Sequence, residues 1–200
     1  MTRALFALAL WWACATQAQL PAPAQIRAAA PLLADQQAHA VFAARGTVQV
    51  AFTPWDNAEG MIVGAIGRAK HQILVQAFSF TSRVLANALI AAKKRGVDVQ
   101  VIADREQTFS GESSRIPELA RAGIPVTLEV RYQSAHNKVM VMDAGASDAA
   151  VITGSYNWTY AAQYKNAENV LLLRDSPDIA NAYATNWSRH HAEALPYAEQ

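Results

Sequence analysis

Cysteine is nearly absent from this sequence. Its one copy, Cys14, falls inside an N-terminal apolar run, so disulfides, thiolate metal sites and a cysteine nucleophile are excluded from the chain beyond it. Charge of one sign is lacking too: 17 Lys and Arg stand against 16 Asp and Glu, and without Arg3 the balance is 16 to 16. Attraction for a polyanion therefore has to come from a local patch, not from a global field. No apolar run reaches the ~20 residues that span a bilayer. No carboxylate cluster or His/Asp set is grouped as a metal site, no metal or other cofactor is expected, and no internal repeat is visible.

What is present is 52% hydrophobic residues, enough for one core of ordinary size. The chain opens with Arg3, an apolar run over 4–15 and the small-x-small triplet Thr16, Gln17, Ala18. That pattern predicts a signal peptide over 1–18, export to the periplasm or medium, and no stable membrane association after cleavage. Residues 19–45 are rich in Ala, Gln and Pro and read as a solvated lead-in with one short helix over 32–44. The domain proper is placed at 46–195.

Alternating apolar residues predict strands over 47–52, 72–78, 97–103 and 126–130, with helices between them. Asp56 or Asn57 caps a helix running through Lys70. Ser82 caps one whose stripe is Val84, Leu85, Ala88 and Leu89, and a short helix ends near Gly123 after a polar turn over 106–114. The second half adds strands over 138–143, 150–153 and 169–173 and a final helix over 177–191. The expectation is an α/β/α sandwich on a mixed, mostly parallel β-sheet.

Three of these strand ends carry chemistry. His136 and Lys138 are separated by one position, so in extended chain they share a face and can reach one phosphate. Lys138 supplies positive charge, Ser155 and Asn157 supply neutral donors, and Gly154 lets the backbone approach a bound oxyanion. His136 can serve as nucleophile or as general base. A carboxylate on its second nitrogen would fix its tautomer, and Glu168 is the natural candidate. Taken singly, each residue reads as an ordinary surface or turn residue; the order and spacing argue for a metal-free phosphate cradle.

In this order, His136, Lys138, Asp143, Gly154, Ser155 and Asn157 resemble the His-x-Lys-x4-Asp and Gly-Ser-x-Asn signature of the phospholipase D superfamily. Residues 77–81, 91–99 and 165–169 resemble its compact bacterial endonuclease branch, and the resemblance spans about 48–187. It implies that His136 attacks phosphorus to form a phosphohistidine while a second histidine protonates the leaving oxygen and then activates water. Only one motif copy is present, and His39, His71, His190 and His191 lack its neighbours. A homodimer that sets two copies of His136 across a two-fold cleft is the expected solution; an acid from His71 or His190 of the same chain is the alternative. Ten residues separate Asp143 from Gly154 where the family usually has six, which reads as a lengthened hairpin turn away from the cradle. The family's Asp looks more structural than catalytic.

Nucleic acid is the expected substrate, with phosphatidyl lipids, including cardiolipin, as the alternative and a non-catalytic nucleic-acid binder as a third reading. Lys93, Lys94, Arg95, Arg105, Arg115, Arg121 and Arg131 recur near expected loop and helix ends, where they either flank the cleft or are solvated surface charges. Trp158, Tyr160 and Tyr164 either stack on bases or pack the core, core packing being the better reading for Trp158.

Overall fold

The computed structural model describes residues 40–43, 45–110 and 113–198, and everything below except Ala40 lies in the unit Val41–Gln200. The expected signal peptide and most of the lead-in fall outside the described residues. Residues 40–43, at the end of the helix expected over 32–44, carry no regular structure. Among the described residues no helix is long and apolar enough to cross a membrane.

Eight strands among the described residues form one sheet: β1 (Thr47–Thr53), β2 (Gln72–Ala77), β3 (Asp98–Asp104), β4 (Val126–Glu129), β5 (Lys138–Met142), β6 (Ala150–Gly154), β7 (Glu168–Arg174) and β8 (Leu195–Pro196). Among the described residues six helices connect or cover them: α1 (Ala58–Arg68), α2 (Arg83–Lys94), α3 (Arg105–Phe109), α4 (Ile116–Arg121), α5 (Tyr160–Tyr164) and α6 (Pro177–Glu193). The order across the sheet is β1-β7-β6-β5-β2-β3-β4-β8.

Local chemistry sets the helix starts. Asn57 Oδ1 accepts the Gly60 N–H at 2.8 Å to open α1, and Ser82 Oγ accepts the Leu85 N–H at 3.1 Å to open α2. Ile62, Ile66, Leu85, Leu89 and Leu119, from α1, α2 and α4, pack on Ile73, Val75, Val101 and Met140 from one face of the sheet. On the other face α6 covers Leu74, Ile102, Val139, Val141 and Val151, with Trp187 donating its indole N–H to the Val75 carbonyl at 3.0 Å. Such side chains contribute about 1.5–3 kcal/mol each on burial, which is what holds the two helical layers to the sheet.

The sheet is mixed as expected, but it is not mostly parallel. Only β2–β3 and β3–β4 run parallel; β1–β7, β7–β6, β6–β5, β5–β2 and β4–β8 are antiparallel. The reason lies in β1, which leaves β2 and pairs at the far edge with β7, and in β5, which enters beside β2 from the opposite direction. The polar turn expected over 106–114 begins as α3, because Asp104 closes β3 and its carboxylate caps the next turn through the Gln107 N–H. Neither α5 nor β8 was foreseen.

This topology brings the site together. With β5, β6 and β7 alternating in direction, the start of β5, the end of β6 and the start of β7 meet on one edge. The C-terminal ends of β2, β3 and β4 reach the same edge.

Candidate active site

Lys138 is the first residue of β5 and is 5% exposed. Its ammonium donates to the His136 carbonyl at 2.9 Å and sits 4.8 Å above the Phe78 ring. An ammonium has three donors, and no carboxylate pairs with this one among the described residues, so burial leaves a charge that an anion can neutralise. Burial pulls the Lys138 pKa below the ordinary lysine value, and nearby Glu168 opposes it.

His136 precedes the strand and is exposed. Its imidazole packs on the same Phe78 ring, centroids 4.5 Å apart at 58°, so both groups of the motif contact Phe78. The approach to His136 is pinned twice: Asp104 Oδ2 accepts the Ala135 N–H at 2.8 Å, and the Phe78 N–H donates to the Asn137 carbonyl at 3.0 Å. Phe78 and Asp104 are positioning residues that sequence reasoning missed. The signal available for Asp104 was a carboxylate ending a strand directly before a helix, the position of a cap.

Ser155 and Glu168 face each other at the ends of β6 and β7. Ser155 Oγ donates to Glu168 Oε2 at 2.5 Å and accepts the Asn169 backbone and side-chain N–H groups at 3.1 and 3.2 Å; the other Glu168 oxygen accepts from Asn166 Nδ2 at 2.9 Å. The Glu168 carboxylate, expected to orient His136, is held within this chain by Ser155 and Asn166, and the Ser155 hydroxyl, expected to meet phosphate, donates to Glu168. A carboxylate two strands away is closer to a serine on the neighbouring strand than to the β5 entry, which is the geometric reason. Asn157 does enter the edge, and its Oδ1 is buried without a partner.

Gly154 has a reason the sequence did not reveal. Its φ is +152°, and a Cβ there would lie 2.2 Å from the Asn169 carbonyl oxygen, so β6–β7 pairing itself demands glycine. Asp143 leaves the candidate catalytic set. It sits at the other end of β5, about 17 Å from Lys138 at ~3.4 Å per residue. There it accepts the backbone N–H groups of Lys70, His71 and Gln72 at 2.8, 2.7 and 2.8 Å. The lengthened β5–β6 turn over 143–149 is at that same far end.

The other histidines have occupations of their own. His190 Nδ1 lies 2.9 Å from the buried Glu129 carboxylate, His191 stacks on Trp187 at 4.7 Å, and His71 begins near β2 at the far end. The cations also sort by topology. Arg105, Arg115 and Arg131 follow strands or open α4 at the catalytic edge, whereas Lys93, Lys94, Arg95 and Arg121 end helices at the opposite edge and cannot flank the cleft. Trp158 is core, 1% exposed with its indole N–H on the Gln76 carbonyl; Tyr160 and Tyr164 are exposed. Among the described residues no three His, Cys, Asp or Glu side chains are grouped as metal ligands.

An exposed imidazole and a buried ammonium with no carboxylate in salt-bridge contact among the described residues, both against the Phe78 ring at the open edge of a mixed sheet, form a site able to bind a phosphate. A family model described as "Cardiolipin synthase, PLD-like domain" matches residues 62–191. The chain is 37% identical over 148 residues to the "Phospholipase D" of Rickettsia felis, covering 74% of this chain and 71% of that protein. It is 32% identical over 141 residues to the "Mitochondrial cardiolipin hydrolase" of Xenopus tropicalis, covering 70% of this chain and 64% of that one. Among solved structures it is similar to Nuc, a phospholipase D family member from Salmonella typhimurium, with TM-score 0.71, 34% identity, and coverage of 76% of this chain and 99% of that one. The chain thus belongs to the phospholipase D superfamily and is a phosphodiesterase of it.

Proposed function

We propose that this phosphodiesterase is an endonuclease that cleaves DNA or RNA with little base specificity and without a metal ion. The observation that carries the reading is Lys138: its ammonium is buried, has no carboxylate in salt-bridge contact among the described residues, and contacts the same Phe78 ring as the exposed imidazole of His136. The ring nitrogen of His136 attacks phosphorus, an N–P bond forms, the P–O bond to the leaving nucleotide breaks, and a second imidazole gives that oxygen its proton. That imidazole then takes a proton from water as the water oxygen displaces His136 from phosphorus, regenerating both groups.

The second imidazole is proposed to be His136 of a paired copy across a two-fold axis. His190 and His191, engaged by Glu129 and Trp187, are poorly placed for the task. The protein should sediment as a dimer, and an active monomer would overturn the arrangement. Residues 1–18 are proposed to direct export, so the site works in the periplasm or medium.

Hydrolysis of phosphatidyl lipids is the second reading, favoured by the phospholipase and cardiolipin hydrolase names of the relatives. Both readings use the same phosphate chemistry. Incubating the protein in EDTA with plasmid DNA, RNA and phosphatidyl lipid vesicles in parallel separates them: nicked or shortened nucleic acid supports the nuclease. Released headgroup alone supports the lipase, and activity that needs Mg²⁺ restored ends the metal-free mechanism.

A further inference from the structure

Helix α5 lies in the chain between Asn157 and Glu168, and it exposes two large aromatic rings where a stable monomer gains nothing from them. Tyr160 and Tyr164 are 58% and 55% exposed, their rings 4.5 Å apart at 34°, with the Lys165 ammonium 6.0 Å over Tyr160. The aromatics just before them, Tyr156 and Trp158, are 1% exposed. The exposed pair therefore does not serve the core.

The two tyrosines line a groove with Thr81, Ser82, Arg83, Val84, Arg115 and one carboxylate, Glu59, which is buried and accepts the Ser82 hydroxyl at 2.5 Å. Arg83 has no ion pair among the described residues. Arg115 touches Glu118 at 3.3 Å through Nη1, while its Nε is buried without a partner. A guanidinium offers five donors, so this groove holds aromatic faces and unspent cationic donors side by side. Tyr160 follows Asn157 by three residues, which places it within about 10 Å of the cradle along the chain.

We infer that the Tyr160–Tyr164 groove is a subsite for an unpaired nucleotide flanking the scissile phosphate: a base stacks on the tyrosines, and Arg115 and Arg83 take its phosphate. The inference rests on the nuclease reading and sharpens it to single-stranded nucleic acid. A base is free to stack on a side chain only when it is not already stacked and paired in a duplex. A phosphatidyl lipid carries phosphate but no flat ring, so it satisfies the arginines and leaves the tyrosines unused.

The test uses the full chain in EDTA with an end-labelled single-stranded oligonucleotide. Stacking contributes about 1–3 kcal/mol per base, so Tyr160→Ala with Tyr164→Ala should raise KM about 5- to 150-fold with a much smaller change in kcat. The corresponding Phe pair, which keeps the rings, should stay within about threefold of wild type. An abasic residue at the flanking position should reproduce the loss in wild type, and the two losses should not add, because both remove the same contact. An unchanged KM in the Ala pair, or an equal loss in the Phe pair, overturns the subsite while leaving the nuclease intact. A wild-type protein that cuts lipid and no nucleic acid overturns the nuclease reading and the subsite together. If Ala substitution instead impairs headgroup release from vesicles, the groove serves a membrane.

Discussion

Lys138, which opens β5, and Asp143, which follows it, are five residues apart and do opposite things with charge. At the far end Asp143 accepts three backbone N–H groups, and the exposed Lys70–Asp148 pair closes beside it at 2.6 Å. At the near end Lys138 is buried with a single carbonyl for a partner. The same contrast runs through the described residues: of six buried side-chain atoms without a hydrogen-bond partner, Gln76 Oε1, Arg115 Nε, Tyr156 OH and Asn157 Oδ1 belong to the catalytic end. Burial, with Glu59 the next cause, raises the Tyr156 hydroxyl so far that its proton stays on, yet it meets no acceptor. Buried polar groups are nearly always satisfied in folded proteins, so this concentration of unpaired atoms sets the near end apart from the far one. Arg174 Nε, at the far end, and Thr127 Oγ1, within β4, are the two exceptions in that set.

The largest expected effect is at the near end. His136→Ala should lower turnover by at least about 10⁴-fold while leaving substrate binding and melting temperature close to wild type, because the imidazole is exposed and its loss removes the nucleophile and little packing. Single-turnover kinetics beside a binding titration checks this, and retained hydrolysis would eliminate His136 as nucleophile.

Next comes Lys138→Met, which should cost about 10²- to 10³-fold in kcat through lost stabilisation of developing charge. It should also make the protein more stable near neutral pH. The folded lysine binds its proton less tightly than the unfolded one. The unfolded chain therefore holds more protons between the folded value and 10.5, and wild-type stability rises with pH across that window. Denaturant midpoints from pH 7 to 10 should rise for wild type and flatten for the variant. Parallel curves would show that Lys138 is not strained by burial.

At the far end the currency changes from rate to stability. Asp143→Ala removes three charge-assisted hydrogen bonds and should destabilise by about 3 kcal/mol, or about 6–12 °C in melting temperature. The folded enzyme should keep its specific activity. Asp143→Asn should fall between, because Asn tolerates the φ of +51° found there and one oxygen can still serve His71 and Gln72, while its NH₂ opposes the Lys70 N–H. Loss of kcat without loss of stability would return Asp143 to the catalytic set.

Much of this contrast was legible in the sequence. The one-residue spacing of His136 and Lys138 put them on one face, the caps Asn57 and Ser82 stood where helices begin, and the small polar stretch after Asp143 read as a turn. What stayed hidden depends on contacts between strands distant in sequence. Nothing local says that the β1 strand pairs with β7 across the whole domain, and that pairing is why the sheet is mainly antiparallel. Periodicity is also mute about who holds a polar side chain. Glu168 was expected on the histidine, yet the register that sets Gly154 opposite Val170 brings Ser155 to it first. The cation-rich end of α2 was open to two readings, cleft or solvated surface, and the direction of the helix carries Lys93, Lys94 and Arg95 to the far edge.

The smallest effect is expected from breaking the Lys70–Asp148 pair. The hydrogen bond to Asp148 is the main reason the Lys70 pKa lies above its ordinary value, and the same bond holds the Asp148 carboxyl below its own. Any contribution is thus present between 3.8 and 10.5, lost as pH falls through the folded carboxyl value or rises through the folded lysine value. Yet the side chains are 63% and 46% exposed, so water and salt screen the attraction. Asp148→Asn should shift the melting temperature by no more than replicate scatter at 150 mM salt and leave cleavage unchanged. A clear drop in cleavage at constant stability would mean that the lengthened turn communicates with the catalytic edge, and the division of the two ends into scaffold and site would fail.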